Sequence, residues 1–351
     1  MNEFTGYEQF LTSAGDFIHD KRKAFQGGDG MQNNPHIQEQ LEAWVEENKG
    51  HAILGTTAQY IPALGKVDPS KLGICMVDET GNYYCAGDTE EEFTLQSISK
   101  ALTFIALSCH YGLEFVLERV DVEPTGEAFN SIIPFEIHRP NKPFNPFINA
   151  GAITVSALLP GQTSQKKYEF LLSFLESLVG HPLEMDREVY DSEWKSSYRN
   201  RALTYYLKEA NFIEIEVEEA LDIYIRQCSI KVSTKDLALI GLIIGYDGYN
   251  PITKEKHFSE EIAQVAKVLM VTCGMYNSSG NFAAHVGIPA KSGVSGGIMG
   301  AVPPKLHSQT YEFRAGAGIG VYGPAIDVTG NSAAGTMMLR QISKEWDLSI
   351  F

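Results

Sequence analysis

Between about residues 150 and 275 almost every apolar residue falls at helical spacing, while strand-type sequence lies on both sides of that stretch. Phe170, Leu171, Phe174, Leu175 and Leu178 mark one helical face, since residues three and four apart share a side of a 3.6-residue turn. Ser233-Thr234-Lys235-Asp236 reads as a capping box ahead of the apolar run Leu237–Ile244. On the N-terminal side, Leu72–Val77 and Tyr83–Ala86 flank Asp78-Glu79-Thr80-Gly81, the pattern of a short-turn hairpin. Beyond about residue 285 the sequence turns Gly-rich and β-like, Gly296–Val302 and Phe313–Val321, before a helical stretch Asn331–Trp346. This order predicts a mixed α/β (α+β) fold. One antiparallel sheet is built from both chain ends, flanked by helices, with a helical subdomain inserted.

The same pattern places boundaries. Gly27-Gly28-Asp29-Gly30 and Asn33-Asn34-Pro35 are breaker-rich, so residues 1–35 read as an extension and linker. Residues 36–351 form the main unit. Its sheet subdomain takes in about 36–100 and 285–351, and its helical subdomain about 101–284. After Pro35, Ile37, Leu41, Trp44 and Val45 predict a helix, and Ala101–Cys109 predicts a buried one.

Charge and composition exclude several functions. A formal charge of -16 disfavours nucleic acid, whose phosphates need clustered Lys and Arg. No apolar run approaches the ~18 residues that cross a bilayer, and no basic or apolar leader is visible after Met1, so a cytoplasmic protein is expected. Cys75, Cys85, Cys109, Cys228 and Cys273 are odd in number and widely spaced. They read as reduced thiols, without a disulfide framework or zinc site. Nine histidines show no metal-binding spacing. Gly318-Ile319-Gly320-Val321-Tyr322-Gly323 fits a dinucleotide fingerprint, but too little chain follows Pro324 to complete that unit.

Three Ser-x-x-Lys pairs occur: Ser97 with Lys100, Ser164 with Lys167, and Ser192 with Lys195. On a helix such a pair shares a face, and an amine of lowered pKa can take the hydroxyl proton to make a nucleophile. Context separates them. Only Ser97 follows a strand hairpin and opens an apolar helix, whose positive end favours a developing oxyanion. Ser164 and Lys167 read as a solvated polar loop or first turn. Lys291-Ser292-Gly293 is a second element, since serine enzymes of the penicillin-recognising type carry such a triplet on the strand beside the site. Tyr198-Arg199-Asn200 matches the third element of that set only loosely.

From about residue 36 to 345 the chain resembles the bacterial and mitochondrial-type glutaminases. The resemblance rests on ordered blocks: Tyr60-Ile61-Pro62, Ser97-Ile98-Ser99-Lys100, Glu123-Pro124-Thr125-Gly126, and Asn145 through Ile153. It continues through Glu193, Arg199-Asn200-Arg201-Ala202, Tyr224 before Gln227-Cys228-Ser229, Gly274-Met275-Tyr276, and Gly287 through Gly297. Three features depart from the pattern: the longer N-terminal extension, Phe147 where Met is more usual, and Ala333-Ala334 in place of a Val-Arg pair.

The resemblance implies a serine β-lactamase/transpeptidase-like fold and hydrolysis of L-glutamine to L-glutamate and ammonia through a seryl ester. It implies Ser97 as nucleophile, Lys100 as its base, and Tyr60 and Tyr276 as bordering hydroxyls. Asn149, Glu193, Asn200, Tyr224 and Tyr276 would hold the substrate with Ser97. The backbone amides of Ser97 and Val294 would bind the oxyanion. No cofactor or metal is implied, and a homo-oligomer, dimer or tetramer, is expected. The chemistry is reasonable on its own terms. A carboxylate such as Glu193 pairs with an α-ammonium, while Asn amides and a Tyr hydroxyl donate to an α-carboxylate. The rivals are a β-lactamase or penicillin-binding enzyme on the same fold, and a non-catalytic sensor that kept the pocket.

Overall fold

The expected hairpin forms because Asp78 organises its turn. Its Oδ1 accepts from Thr80 N at 2.9 Å, Thr80 Oγ1 at 2.7 Å and Asn82 N at 2.9 Å, an Asx arrangement that replaces lost ladder bonds. In this computed structural model, which describes residues 35–351 apart from 139 and 306–311, the hairpin comprises β1 (Gly73–Asp78) and β2 (Tyr83–Gly87). Most of the N-terminal extension therefore lies outside the described residues. From the other end come β3 (Ala290–Ser292), β4 (Gly297–Val302) and β5 (Ala317–Tyr322). They assemble in the order β2-β1-β5-β4-β3, every neighbour antiparallel. β5 starts later than expected, because Phe313 lies in a turn at φ +52°.

Strand alternation assigns the two faces of β1. Ile74 and Met76 pack with α1 (Pro35–Lys49) and the C-terminal helix Ala333–Glu345, in a core that holds Leu41, Val45, Met338 and Ile342. Cys75 and Val77 face the opposite way, onto Ala238 and Leu242 of the helix Thr234–Gly245. That helix approaches the sheet backbone to backbone: a Cβ on Gly318 would collide with Ala238 O, and one on Gly320 with Thr234 O. The Gly-x-Gly run is thus a packing device, consistent with its exclusion as a nucleotide loop. The capping box at Ser233 and Asp236 is present.

Register corrects the cysteine expectation. Cys75 lies directly opposite Cys85, with Cα atoms 4.1 Å apart, and the two form a disulfide. The turn residues could have shown this, since a hairpin centred on Thr80 pairs position 75 with 85. Cys109, Cys228 and Cys273 are free.

Most of the remaining helices stand on the far side of Thr234–Gly245. In chain order those that matter here are α2 (Ser99–Tyr111), α3 (Asn149–Ala157), α4 (Arg187–Ser196), α5 (Tyr198–Glu209) and α6 (Val217–Cys228). A two-residue strand Phe93–Thr94 pairs with Lys231–Val232 and ties the approach to Ser97 to the end of α6. Among the described residues no helix is long and apolar enough to cross a membrane.

Candidate active site

Ser97 sits in a single 3₁₀ turn, Gln96–Ile98, that runs straight into α2. The turn is entered through Gln96 at φ +46°, a left-handed conformation that costs about 1–3 kcal/mol for a non-glycine residue and persists only where neighbours impose it. Those neighbours are visible. Gly293 presses against Leu95 O so closely that a Cβ there would lie 2.6 Å from it. Ser295 Oγ donates to Thr94 O at 2.6 Å, and Leu95 N to Ile230 O at 2.8 Å. The Lys291-Ser292-Gly293 strand end therefore braces the serine turn.

Lys100, one turn after Ser97, is buried to 1% exposure. Its Nζ donates to Asn149 Oδ1 at 2.6 Å and to Phe147 O at 3.1 Å. Because the second acceptor is a backbone carbonyl, the Phe-for-Met departure at 147 leaves it in place. Burial lowers the amine to about 8, a shift that the neighbouring Cys228 and Glu193 oppose. Asn149 opens α3, and its Nδ2 donates to Asn200 Oδ1 on α5 at 2.7 Å. Glu193 on α4 is buried and raised to about 7 by desolvation. A weak bond from Gln96 Nε2 at 3.3 Å and the charge of Lys100 partly offset that shift.

Ser97, Asn149, Glu193, Asn200, Tyr224, Val294 and Tyr60 line one cavity of about 350 Å³. Tyr60 is 60% exposed and stands at its mouth. Lys100 and Tyr276 do not form its wall. Tyr276 is buried at φ +52°, with its ring 4.8 Å from that of Phe129 and its hydroxyl beside Ser97. Burial raises that hydroxyl well above the ordinary tyrosine range, and Ser97 is the group beside it that opposes the shift. Lys291 Nζ lies 4.5 Å from the Tyr276 ring and donates to Gly274 O and Ser292 O. Burial, then the charge of Lys100, hold Lys291 well below the usual lysine range.

The sequence reading missed Gln96, Phe129 and the segment Ile326–Gly330, all of which line the cavity. Only Gln96 carried a signal, its place beside Ser97. The other Ser-x-x-Lys pairs lie elsewhere. Ser164 and Lys167 occupy the first turn of the helix Ser164–Val179, one of the two placements expected, but Lys167 is buried rather than solvated. Its Nζ donates to Ala157 O at 2.9 Å and Leu159 O at 2.7 Å, while Ser164 Oγ donates to Asp222 Oδ2 at 2.5 Å. Ser192 Oγ accepts from Ala63 N, and Lys195 is exposed. Arg199 Nε donates to Asn130 O at 2.8 Å.

The arrangement places a hydroxyl and a buried amine one turn apart, beside a pocket whose wall carries the acids Glu193 and Asp327 among Asn and Tyr side chains. Such a pocket suits a small zwitterion that carries a reactive carbonyl. Comparisons with known proteins agree. The sequence profile of the family described as Glutaminase matches residues 55–351. Glutaminase 1 of Bacillus subtilis is 54% identical over 318 residues, which cover 91% of this chain and 96% of that protein. Glutaminase 2 of Bacillus cereus is 56% identical over 311 residues, 89% of this chain and 95% of its own length. A probable glutaminase from Bacillus subtilis, solved with 6-diazo-5-oxo-L-norleucine, superposes with TM-score 0.83 at 50% identity, covering 92% of this chain and 99% of that one. A Bacillus subtilis glutaminase solved as its covalent complex with 5-oxo-L-norleucine gives TM-score 0.82 at 51% identity, over 91% of this chain and 100% of that one. On profile, identity over nearly the whole length and fold, this chain belongs to the glutaminase family.

Proposed function

We propose that Ser97 is the nucleophile and Lys100 the base of the glutamine hydrolysis that family membership assigns to this chain. The observation that carries the reading is a buried amine one turn from Ser97, lowered to about 8, so that about a tenth is neutral at pH 7. As Ser97 Oγ attacks the γ-carboxamide carbon, its proton passes to Lys100 Nζ. The oxyanion is held by the amides of Ser97 and Val294. The C–N bond then breaks and ammonia leaves with the proton held by Lys100, passed directly or through Tyr276, so that Lys100 is neutral again. Water attacks the resulting γ-glutamyl ester and gives its proton to Lys100, which returns it to Ser97 Oγ as the ester C–O bond breaks and glutamate departs. Glu193 takes the α-ammonium, and Asn149, Asn200 and Tyr224 take the carboxylate. Tyr60 closes the mouth and Tyr276 serves the proton path.

The covalent adduct of a Bacillus subtilis relative with a glutamine-like electrophile supports this chemistry. Ammonia release from glutamine should vanish in Ser97→Ala, and intact-mass analysis after 6-diazo-5-oxo-L-norleucine should place the adduct on Ser97. An unchanged rate in Ser97→Ala, or an adduct elsewhere, refutes the assignment. The reading extends to a cytoplasmic homo-oligomer whose catalytic unit is 36–351, which fractionation, sedimentation and limited proteolysis test.

A further inference from the structure

Behind the cavity three helices meet at one buried amide. Gln227 on α6 is fully buried, and the outer atom of its amide assigned as Oε1 lies 2.9 Å from Thr103 Oγ1 on α2 and 2.9 Å from Ser156 Oγ on α3. Both hydroxyls also reach a carbonyl one turn back on their own helices: Thr103 to Ser99 O at 2.9 Å, Ser156 to Ala152 O at 2.6 Å. A hydroxyl has one hydrogen and cannot fully serve both. With the amide oxygen toward them, each hydrogen is contested and Nε2, with two hydrogens, is buried without a partner. Turning the amide over removes the conflict. Nε2 then gives one hydrogen to each hydroxyl oxygen, and each hydroxyl keeps its carbonyl. Only the oxygen is left over, and a buried N–H without a partner is the rarer defect.

Spacing along each helix connects this amide to the site. Thr103 lies one turn beyond Lys100, Ser156 two turns beyond Asn149, and Gln227 one turn beyond Tyr224, so each member of the knot shares a face with a site residue. We infer that Gln227 is a positioning residue that donates to Thr103 and Ser156 and so locks the mutual register of the helices bearing Lys100, Asn149 and Tyr224. The inference rests on the roles given above to those three. The contact most exposed to a slip between α2 and α3 is the 2.6 Å bond from Lys100 Nζ to Asn149 Oδ1.

Gln227→Glu, kept protonated by burial, holds the shape but leaves one donor where two hydroxyls need one each, and Thr103→Val removes one acceptor. Kinetics with glutamine as a function of pH, paired with thermal melting, read the effect. Gln227→Glu should lose about tenfold or more in kcat with KM within about threefold, as expected of a sub-ångström misplacement. The acid limb of its kcat profile should move to lower pH, because a Lys100 ammonium deprived of its Asn149 acceptor loses its proton more readily. Thr103→Val should do the same to a lesser degree, and Thr103→Ser should behave as wild type. Ile342→Ala, beyond the sheet, supplies a loss of melting temperature that leaves kcat and the limb in place. If Gln227→Glu does not fold, Thr103→Val and Ser156→Ala carry the same readouts. Wild-type kcat and limb in Gln227→Glu, or a loss without movement of the limb, overturn the inference. An active Lys100→Met would instead overturn the site assignment beneath it.

Discussion

The Ser97 and Ser164 regions share a motif and a buried lysine, yet they do different things, and one helix explains why. Lys100 lies at the N-terminal end of α3, on Phe147 O and Asn149 Oδ1, while Lys167 lies at its C-terminal end, on Ala157 O and Leu159 O. The helix dipole is positive at the first end and negative at the second. It therefore adds to burial in discouraging a charge on Lys100 and opposes burial at Lys167, where an ammonium caps free carbonyls. The hydroxyls differ likewise. Ser164 is committed to Asp222, itself bound by Arg226 and Tyr190, whereas Ser97 lines the cavity. An identical spacing puts a cavity-lining hydroxyl beside a buried amine at one end of a helix and makes a structural cap at the other.

The contrast is tested hardest by matched substitutions. Lys100→Met should reduce kcat by at least ~10³-fold, whereas Lys167→Met should leave kcat within about threefold and show its effect in melting, from carbonyls left unpaired at a cost of about 1–3 kcal/mol. Comparable activity losses in the two would end the distinction. Next in size is Glu193→Gln, expected to lower kcat/KM for glutamine by about 10²-fold, as for a buried charge pair broken on one side. Its stability should move the other way. Glu193's folded pKa, about 7, lies above the ordinary carboxylate value, so the native state binds the extra proton and is weakened as pH rises through that window. The Gln variant should then melt above wild type at pH 8 and level with it near pH 4.

A smaller effect is read from pH alone. On the proposed mechanism Lys100 must be neutral, so kcat/KM should fall about tenfold or more per unit below about pH 8. Because the proposed hold of Glu193 on the α-ammonium requires its ionised form, KM should rise below about pH 7. A flat kcat/KM between pH 6 and 8 would remove Lys100 as the base. The smallest change is expected from Ser164→Ala, with unaltered kinetics and a melting shift of only a degree or two for about 0.5–1 kcal/mol lost.

How much could be read from residue order varies by residue, and the reason is physical. Hairpin, capping box and apolar helices are local patterns, legible from the spacing of Leu72–Val77, Ser233–Asp236 and Ala101–Cys109. The strand-helix-strand order of the chain told as much about the sheet. Ser97 and Lys100 stood out by context, whereas Asn149, Glu193, Asn200 and Tyr224 were accessible only through the resemblance, since isolated polar residues on four helices carry no local sign of convergence. The exposed position of Tyr60 and the burial of Lys167 were invisible for the same reason: burial belongs to what packs from elsewhere.

Residue types, their local periods and the motif blocks thus settle the secondary structure, the fold class and the family of this chain. Which end of α3 each lysine faces, and that Asn149, Glu193, Asn200 and Tyr224 line one cavity with Ser97, are matters of distance between segments far apart in sequence. Those distances arise only when the sheet closes from both chain ends and the helices pack. Electrostatics follow from them, because the pKa of a lysine is set by the water it loses and the dipoles it meets.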